Sequence, residues 1–286
     1  MGTAYFKGEF MPLAAVRVSP LDRGYLLGDG VYEVVPVYGG KLFCIDPHLD
    51  RLERSLSGIA MENPLSRSDW LKMLETLIAR NGGGEQSLYF QVTRGEAPRN
   101  HAFPQGIRPL VFAMSKPGPA QSSPEPIPAV TRADNRWGRC DIKAIALLPN
   151  VLLRQSAVSA GASEAILLRD GVVTEGAASN VFVVSDGVLR TPPKSPKILA
   201  GITRDVTLEL ACGAGIPCEE CDISETRLRS ADEIWVTSST LEITPVTSLD
   251  GRPAGSGAPG PLWQKVFERF RAFKRDWATA PGETIA

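Results

Sequence analysis

Two stretches decide the fold of this chain, Asp141-Ile142-Lys143 and Val173-Thr174-Glu175-Gly176-Ala177-Ala178-Ser179-Asn180. Lys143 is the only lysine between Lys116 and Lys194, and an almost unbroken apolar run surrounds it. Such a run predicts a buried segment, where an ammonium loses hydration and the neutral amine is favoured. A neutral amine can attack a carbonyl carbon. The alternative is a strand-end lysine that returns its ammonium to water, the common fate of lysine beside apolar residues.

Glu175 supplies a second chemical group. It follows two β-branched residues, as at a strand end, and precedes a turn of small residues that a flat ligand ring could approach closely. An amine and an acid of this kind are what pyridoxal phosphate needs. The amine forms a Schiff base with the aldehyde, and the acid pairs with the pyridine nitrogen and keeps it protonated.

The same stretches resemble the fold-type IV pyridoxal-phosphate enzymes, through Asp-Ile-Lys at 141–143 and Thr-Glu-Gly-Ala-Ala-Ser-Asn-Val-Phe at 174–182. That group includes branched-chain aminotransferases, D-amino acid aminotransferases and aminodeoxychorismate lyases. The resemblance covers nearly the whole chain. Further stretches agree in order: Asp22-Arg23-Gly24-Tyr25, Gly28-Asp29-Gly30-Val31-Tyr32-Glu33, His48-Leu49-Asp50-Arg51-Leu52, Gly201-Ile202-Thr203-Arg204 and Glu242-Ile243-Thr244-Pro245-Val246.

The resemblance implies an α/β (α+β) fold with two domains and the cofactor between them. The small N-terminal α/β domain would be residues 1–117, and the larger C-terminal domain, with a β-barrel-like sheet, residues 129–286. A proline-rich linker at 118–128 would join them, because residues 116–128 carry five prolines and no apolar periodicity.

Apolar periodicity and turn residues predict the elements between these motifs. We expect a glycine-punctuated loop from Asp22 to Asp29 and a hairpin through Gly39-Gly40. Strands are predicted near residues 31–38, 88–93, 110–114, 129–131, 164–169, 180–184, 187–191 and 232–238. Helices are predicted near residues 47–59, 68–81, 150–161, 201–213, 225–230 and 261–277.

Composition excludes several classes of function. The chain has 286 residues, 43% of them hydrophobic, and a net charge of −1, so it carries no nucleic-acid or anionic-membrane footprint. We see no signal peptide or membrane-spanning run and expect a cytoplasmic protein. Five cysteines and two histidines predict neither a disulfide framework nor a metal site. Cys218 and Cys221 have redox-motif spacing, without the strand-to-helix context of such a motif.

A phosphate site is predicted where Leu199-Ala200-Gly201-Ile202-Thr203 begins a helix, because free backbone N–H groups and the helix dipole favour an anion there. A plain helix start is the alternative reading. Hydroxyls of Ser238 and Ser239 follow a predicted strand, and the resemblance implies a phosphate contact at Ser239. The resemblance also implies a phosphate contact for Arg51, which would otherwise be a solvated helix-face arginine. His48, one turn earlier, would be structural or would support Arg51.

The loop Arg94-Gly95-Glu96-Ala97-Pro98-Arg99-Asn100-His101 bears on the substrate. Loop arginines and histidines are usually surface residues. With Tyr32, however, Arg99 and His101 resemble the substrate-carboxylate trap of D-amino acid aminotransferases, in which the arginine and histidine come from the neighbouring subunit of a homodimer. The resemblance therefore implies that Lys143 catalyses transfer of an amino group from a D-amino acid, such as D-alanine, to a 2-oxo acid, such as 2-oxoglutarate. The alternatives are a branched-chain L-aminotransferase, an (R)-selective amine transaminase, an aminodeoxychorismate lyase or a non-enzymatic binding module.

Overall fold

The computed structural model describes residues 2–118 and 124–280, which form two compact units. The first unit holds the described residues up to 118 together with 142–146 and 274–280. The second holds residues 124–141 and 147–273. A division into compact units does not show that each unit folds independently. The predicted domain boundaries at residues 117 and 129 therefore stay a prediction. Of the predicted linker at 118–128, residues 119–123 lie outside the described residues.

The first unit is built on an antiparallel sheet, with six strands among its described residues in the order β2-β1-β6-β5-β3-β4. The strands are β1 (Thr3–Phe6), β2 (Glu9–Pro12), β3 (Gly30–Tyr38), β4 (Lys41–Leu42), β5 (Gln86–Thr93) and β6 (Leu110–Pro117), and the helices are α1 (Arg23–Leu27), α2 (Ile45–Gly58) and α3 (Arg67–Arg80).

Helices α2 and α3 pack one apolar face each onto this sheet. Leu49, Leu52 and Leu56 of α2 recur at helical spacing and are buried, as are Trp70 and Leu74 of α3. The Ser66 side chain caps α3 by accepting a hydrogen bond from the Asp69 amide at 3.1 Å. The predicted helices in this region are therefore confirmed within about two residues at each end, the usual uncertainty of helix boundaries.

The segment from Asp22 to Asp29 is not the predicted loop, because it contains helix α1. The Asp22 carboxylate accepts hydrogen bonds from the amides of Gly24 and Tyr25, at 2.8 and 3.3 Å, and so caps the start of this short helix. Gly28, with a left-handed φ of 66°, ends it. Of the two glycines, Gly24 lies inside the helix and only Gly28 marks its end.

The second unit contains a curled half-barrel sheet, with nine strands among its described residues. Its main path runs β12-β11-β10-β13-β14-β7-β8-β9, with β15 paired to β14. The strands are β7 (Ile127–Ala133), β8 (Glu164–Arg169), β9 (Val172–Gly176), β10 (Asn180–Ser185), β11 (Val188–Thr191), β12 (Cys218–Glu220), β13 (Glu233–Ser238), β14 (Glu242–Leu249) and β15 (Arg252–Pro253), and the helices are α4 (Leu148–Ser159), α5 (Ile202–Gly213), α6 (Glu225–Arg229) and α7 (Pro261–Thr279), whose last turns belong to the first unit.

The apolar run around Lys143 is not buried as predicted. Ile142 is buried, but residues 143–145 are half-buried and Ala146 is exposed. The run is an irregular strip that borders the start of β3, where the Ile145 amide donates to the Gly30 carbonyl at 3.0 Å. A strip along one edge of a sheet covers one side only, so its apolar residues do not become a core strand.

No helix among the described residues is long and apolar enough to cross a membrane.

Candidate active site

Lys143 is held by β3 and α2 of the first unit. Its carbonyl accepts a hydrogen bond from the Tyr32 amide at 2.9 Å, and its amide donates to Ser55 Oγ at 3.2 Å. The Lys143 Nζ atom lies 4.2 Å from the centroid of the Tyr32 ring. The amine therefore lies against an aromatic face. A ring face binds an ammonium more weakly than a carboxylate does, so the amine is more easily available as a nucleophile.

Tyr32 is itself held by a second tyrosine. The rings of Tyr32 and Tyr89 stack with centroids 5.6 Å apart, and the Tyr89 hydroxyl donates to Gln91 Oε1 at 2.7 Å. Burial raises the pKa of Tyr89 to about 12, so its hydroxyl stays protonated. The stack fixes the plane of the ring on which Lys143 lies.

Arg51 and His48 converge on Glu33, beneath Tyr32 in β3. Arg51 donates to both carboxylate oxygens, from Nε at 2.8 Å and from Nη2 at 2.7 Å, and His48 Nδ1 lies 2.8 Å from Glu33 Oε2. Burial alone would raise the pKa of Glu33, but Arg51 and His48 hold that pKa well below its usual range. Burial lowers the pKa of His48 despite the opposing attraction of Glu33. Arg51 is thus buried in an ion pair and is not a solvated helix-face arginine.

Arg99 and His101 are exposed in the loop between β5 and β6. Among the described residues, neither side chain makes a hydrogen bond or an ion pair with Tyr32 or Lys143. The single chain therefore brings together Tyr32, Lys143, Arg51 and His48, and leaves Arg99 and His101 facing solvent.

Glu175 lies near the end of β9 in the second unit, as its sequence context predicted. Its Oε1 atom accepts a hydrogen bond from Arg136, and its Oε2 atom accepts from the Leu199 amide at 2.9 Å and from Asn180 Nδ2 at 3.2 Å. Burial raises the pKa of Glu175 to about 7, although Arg136 and the Leu199 amide act in the opposite direction. The carboxyl group is rigidly held and is poised to exchange a proton near neutral pH.

Arg136 is the site-lining residue that sequence reasoning missed. Besides Glu175 it binds Asp134, with Nε 2.9 Å from Asp134 Oδ1, and Asp134 also accepts from Thr174 Oγ1 at 2.8 Å. Arg136 lies in irregular chain between β7 and α4, outside any motif. No local signal could have found it, whereas Asn180 and Glu33 stood inside the motifs that Glu175 and Tyr32 defined.

The turn after Glu175 is fixed by two polar contacts, one buried and one partly buried. Ser179 Oγ donates to Glu164 Oε2 at 2.9 Å, and Asn150 Nδ2 donates to the Ala177 carbonyl at 2.8 Å. Asn150 belongs to the first turn of α4, which also contains Pro149. Proline lacks a backbone N–H group, and the N–H groups of a first turn have no partner within the helix, so proline is tolerated there. The segment that follows the lysine strip thus helps to shape the small-residue turn.

Leu199, Gly201, Ile202 and Thr203 come together at the N-terminus of α5. Gly201 is the N-cap and no side chain caps the helix. A Cβ atom on Gly201 would lie 2.0 Å from Asn180 Oδ1, so any larger residue would displace the Asn180 side chain. Asn180 also donates to the Leu199 carbonyl at 2.8 Å, which ties this helix start to Glu175.

Ser238 ends β13, and Ser239 begins the turn that leads to β14. Ser238 Oγ accepts a hydrogen bond from the Leu241 amide at 3.0 Å, and Ser239 is half-buried. One residue earlier, Thr237 Oγ1 is buried and has no hydrogen-bond partner among the described residues. Such an orphaned hydroxyl is costly unless a bound group satisfies it.

Comparison with known proteins identifies the family. The model of the amino-transferase class IV family matches residues 30–249. The chain belongs to the class IV aminotransferases. A class IV relative from Bacillus licheniformis, named D-alanine aminotransferase, is 44% identical over 263 residues, covering 91% of this chain and 93% of the relative. A D-alanine aminotransferase from Staphylococcus haemolyticus is 39% identical over 96% of this chain and 98% of its own.

A solved structure confirms the fold. The branched-chain amino acid aminotransferase of Escherichia coli has a TM-score of 0.88 and 28% identity, with 95% of this chain and 94% of that chain covered. The predictions of a fold-type IV architecture and of an aminotransferase are confirmed.

Class IV aminotransferases are pyridoxal-phosphate enzymes, which confirms the predicted cofactor. The residues of this chain suit each part of that cofactor. A lysine amine suits the aldehyde, a buried acid with a pKa near 7 suits the ring nitrogen, and an uncapped helix start beside an orphaned hydroxyl suits the phosphate.

Proposed function

We propose that this class IV aminotransferase moves the amino group of a D-amino acid, such as D-alanine, to a 2-oxo acid, such as 2-oxoglutarate. The observation that carries the proposal is the likeness to proteins named D-alanine aminotransferase. Eight such relatives are 37–44% identical over 87–96% of the chain. The branched-chain enzyme from Escherichia coli shares the fold at 28% identity.

Lys143 is the catalytic residue of this proposal. Bound pyridoxal phosphate supplies an electron sink that acidifies the Cα–H bond of an amino acid attached to it. The Lys143 amine would hold the cofactor through its aldehyde. When free, it would take up and then return the proton of the substrate Cα, acting as base and then as acid. The Tyr32 ring borders this amine on one side, with its centroid 4.2 Å from Nζ.

Glu175 keeps the ring nitrogen protonated. Its carboxylate is fixed by Arg136, Asn180 and the Leu199 amide, so it cannot rotate away from its partner.

The N-terminus of α5 would hold the phosphate, with Leu199 opening the segment and Gly201, Ile202 and Thr203 offering backbone amides. Ser238, Ser239 and Arg51 add hydroxyl and guanidinium donors. The Glu33 carboxylate orients Arg51 and partly neutralises it, which limits the desolvation cost of the buried cation.

Tyr32, Arg99 and His101 bind the substrate carboxylate and thereby select the D-enantiomer. Binding an L-amino acid with its Cα–H towards Lys143 would leave the carboxylate away from these donors, at a cost of more than about 3 kcal/mol for an unpaired buried charge. Because Arg99 and His101 face solvent, they act on the site of a second copy. Leu21, Tyr25 and Phe103, which are 49%, 74% and 56% exposed, provide an apolar surface beside that loop for a homodimer.

Substrate competition tests the proposal. Purified holoenzyme is assayed with D-alanine, L-leucine and (R)-1-phenylethylamine as amino donors, with 2-oxoglutarate as acceptor. D-alanine is expected to give the highest kcat/KM. Preference for L-leucine would favour the branched-chain activity, and preference for the amine would remove the carboxylate from substrate recognition.

Arg99→Ala tests the carboxylate trap. The KM for D-alanine should rise by about tenfold or more, as expected for the loss of a charge-assisted hydrogen bond. Arg108→Ala is the matched control, because Arg108 is an exposed arginine further along the same loop. Equal effects of the two substitutions would exclude Arg99 from the trap. Sedimentation of the holoenzyme tests whether the protein is a homodimer. A cytoplasmic location stays a prediction.

A further inference from the structure

Beneath the loop that carries Arg99 and His101 lies a buried arginine, Arg23, whose side chain is 3% exposed. Its Nη1 atom donates to the Asn100 carbonyl at 2.5 Å and to the Ala102 carbonyl at 3.4 Å. Its Nη2 atom donates to the His101 carbonyl at 3.4 Å. One guanidinium group thus donates hydrogen bonds to three successive backbone carbonyls of the loop.

Asp29 fixes the orientation of Arg23. The Nε atom of Arg23 donates to Asp29 Oδ2 at 2.8 Å, which leaves the two Nη groups directed at the loop. The same oxygen accepts from Arg94 Nε, also at 2.8 Å. The carboxylate therefore ties together two arginines that would otherwise repel each other.

Arg94 secures the far end of the same loop. Its guanidinium lies 3.8 Å from the centroid of the Phe103 ring and donates to the carbonyls of Ile59 and Ala60, at 2.7 and 3.1 Å. Those carbonyls follow the end of α2, so the loop is braced against a helix of its own unit. Residues 100–103 are therefore held from within.

We infer that Arg23 is a positioning residue for substrate recognition: by gripping the carbonyls of residues 100–102 it presents the side chains of Arg99 and His101 in one fixed arrangement. The inference rests on the proposed carboxylate trap. Arg23 touches neither substrate nor cofactor and acts through the backbone. A fixed pair of donors loses less conformational freedom when it binds a carboxylate than a mobile pair does.

Only an arginine can do this. A lysine at this position would keep the charge, but its single ammonium cannot bond Asp29 and a row of carbonyls with the geometry of a planar fork. Arg23→Lys in the holoenzyme should therefore raise the KM for D-alanine about tenfold, while kcat at saturating substrate stays within about twofold. Arg132→Lys is the matched control, since Arg132 also donates to carbonyls, those of Thr131 and Ser156.

A double-mutant cycle separates positioning from a general loss of structure. If Arg23 acts through the trap, Arg23→Lys should have little effect on KM in an Arg99→Ala and His101→Ala background. An equal rise in both backgrounds would overturn the inference. A rise in KM from Arg99→Ala without one from Arg23→Lys would refute positioning and leave the trap intact. No effect of Arg99→Ala would refute the trap itself.

A second variant covers the case in which Arg23→Lys does not fold. Asp29→Asn keeps both arginines but weakens their common anchor, and should raise the KM for D-alanine in the same direction. Hydrogen exchange of the peptide containing residues 99–103 should accelerate in parallel. Unchanged KM and unchanged exchange in folded Asp29→Asn would contradict the inference.

Discussion

Arg51 grips Glu33 through two parallel hydrogen bonds, Nε to Oε1 at 2.8 Å and Nη2 to Oε2 at 2.7 Å, and both side chains are buried. A fork of this kind sets the direction of the remaining donors of the guanidinium. The cofactor-binding role proposed for Arg51 therefore depends on the carboxylate of Glu33, to which the sequence analysis gave no role. Removing either partner would leave an uncompensated charge in the interior.

Glu33→Gln should therefore destabilise the protein by about 3 kcal/mol, because Arg51 remains charged and buried. Urea denaturation of the cofactor-free protein measures the free energy of unfolding. Glu53→Gln is the control on the same helix as Arg51, since Glu53 is exposed and should change stability by less than about 0.5 kcal/mol. A similar small change for both variants would show that Glu33 and Arg51 are not coupled.

The same pair predicts a pH dependence. The pKa of Glu33 is lower in the folded than in the unfolded protein, so its stabilising contribution is complete above the ordinary carboxyl pKa of about 4.3 and is lost as the pH falls. The difference in unfolding free energy between the wild type and Glu33→Gln should narrow below about pH 4. A difference that stays constant from pH 7 to the acid limit of folding would contradict the assigned ion pair.

For Glu175 we expect the stability of the folded protein to depend on pH in the opposite direction. Its pKa is raised to about 7 in the folded protein, so its contribution is complete below the ordinary carboxyl pKa and is lost as the pH rises through 7. Relative to Glu175→Gln, the cofactor-free wild type should lose up to about 3 kcal/mol between pH 4.5 and pH 8. Urea denaturation across this range provides the measurement. A wild type that gains stability over the Gln variant in this interval would show that Arg136 outweighs burial.

Gly201→Ala should impair both folding and cofactor binding. The new Cβ atom would displace Asn180, which holds Glu175 and the Leu199 carbonyl, at a cost of about 1–3 kcal/mol for overpacking. Fluorescence titration with pyridoxal phosphate measures affinity, and thermal melting measures stability. Gly213→Ala is the control at the other end of α5, where a Cβ atom meets nothing within 4 Å. Equal affinities of the two variants would contradict a tight phosphate cradle at Gly201.

Tyr32→Phe should separate cofactor attachment from substrate binding. The ring beneath Lys143 Nζ and its stack with Tyr89 are retained, so borohydride reduction should still label position 143. Loss of the hydroxyl should raise the KM for D-alanine by about tenfold or more, because one hydrogen bond to a charged group contributes about 1.5–3 kcal/mol. Tyr89→Phe, which keeps the stack but lies one strand away, is the control. An unchanged KM would remove the Tyr32 hydroxyl from the carboxylate trap.

Periodicity and motifs predicted most of the chain's secondary structure, because its helices have apolar faces and its hairpins have glycine turns. Helices α2, α3, α5 and α7 were predicted within a few residues. Two predictions were wrong, for different reasons. The burial of residues 143–146 depends on distant partners, because the segment lies along one edge of a sheet. Helix α1 depends on a local contact, because Asp22 caps the amides of Gly24 and Tyr25, and the sequence analysis gave more weight to the glycines than to this cap.

The sequence by itself determined the family and, through the family, the cofactor, because the motifs that carry the resemblance follow one another in order along the chain. The residues of the site stay a prediction. The tertiary structure decided how those groups are charged and held. Arg136 reaches Glu175 across 39 positions, Arg51 reaches Glu33 across 18, and Arg23 reaches the Asn100 carbonyl across 77. Contacts between distant residues leave no local pattern, since only the folded backbone brings those side chains together.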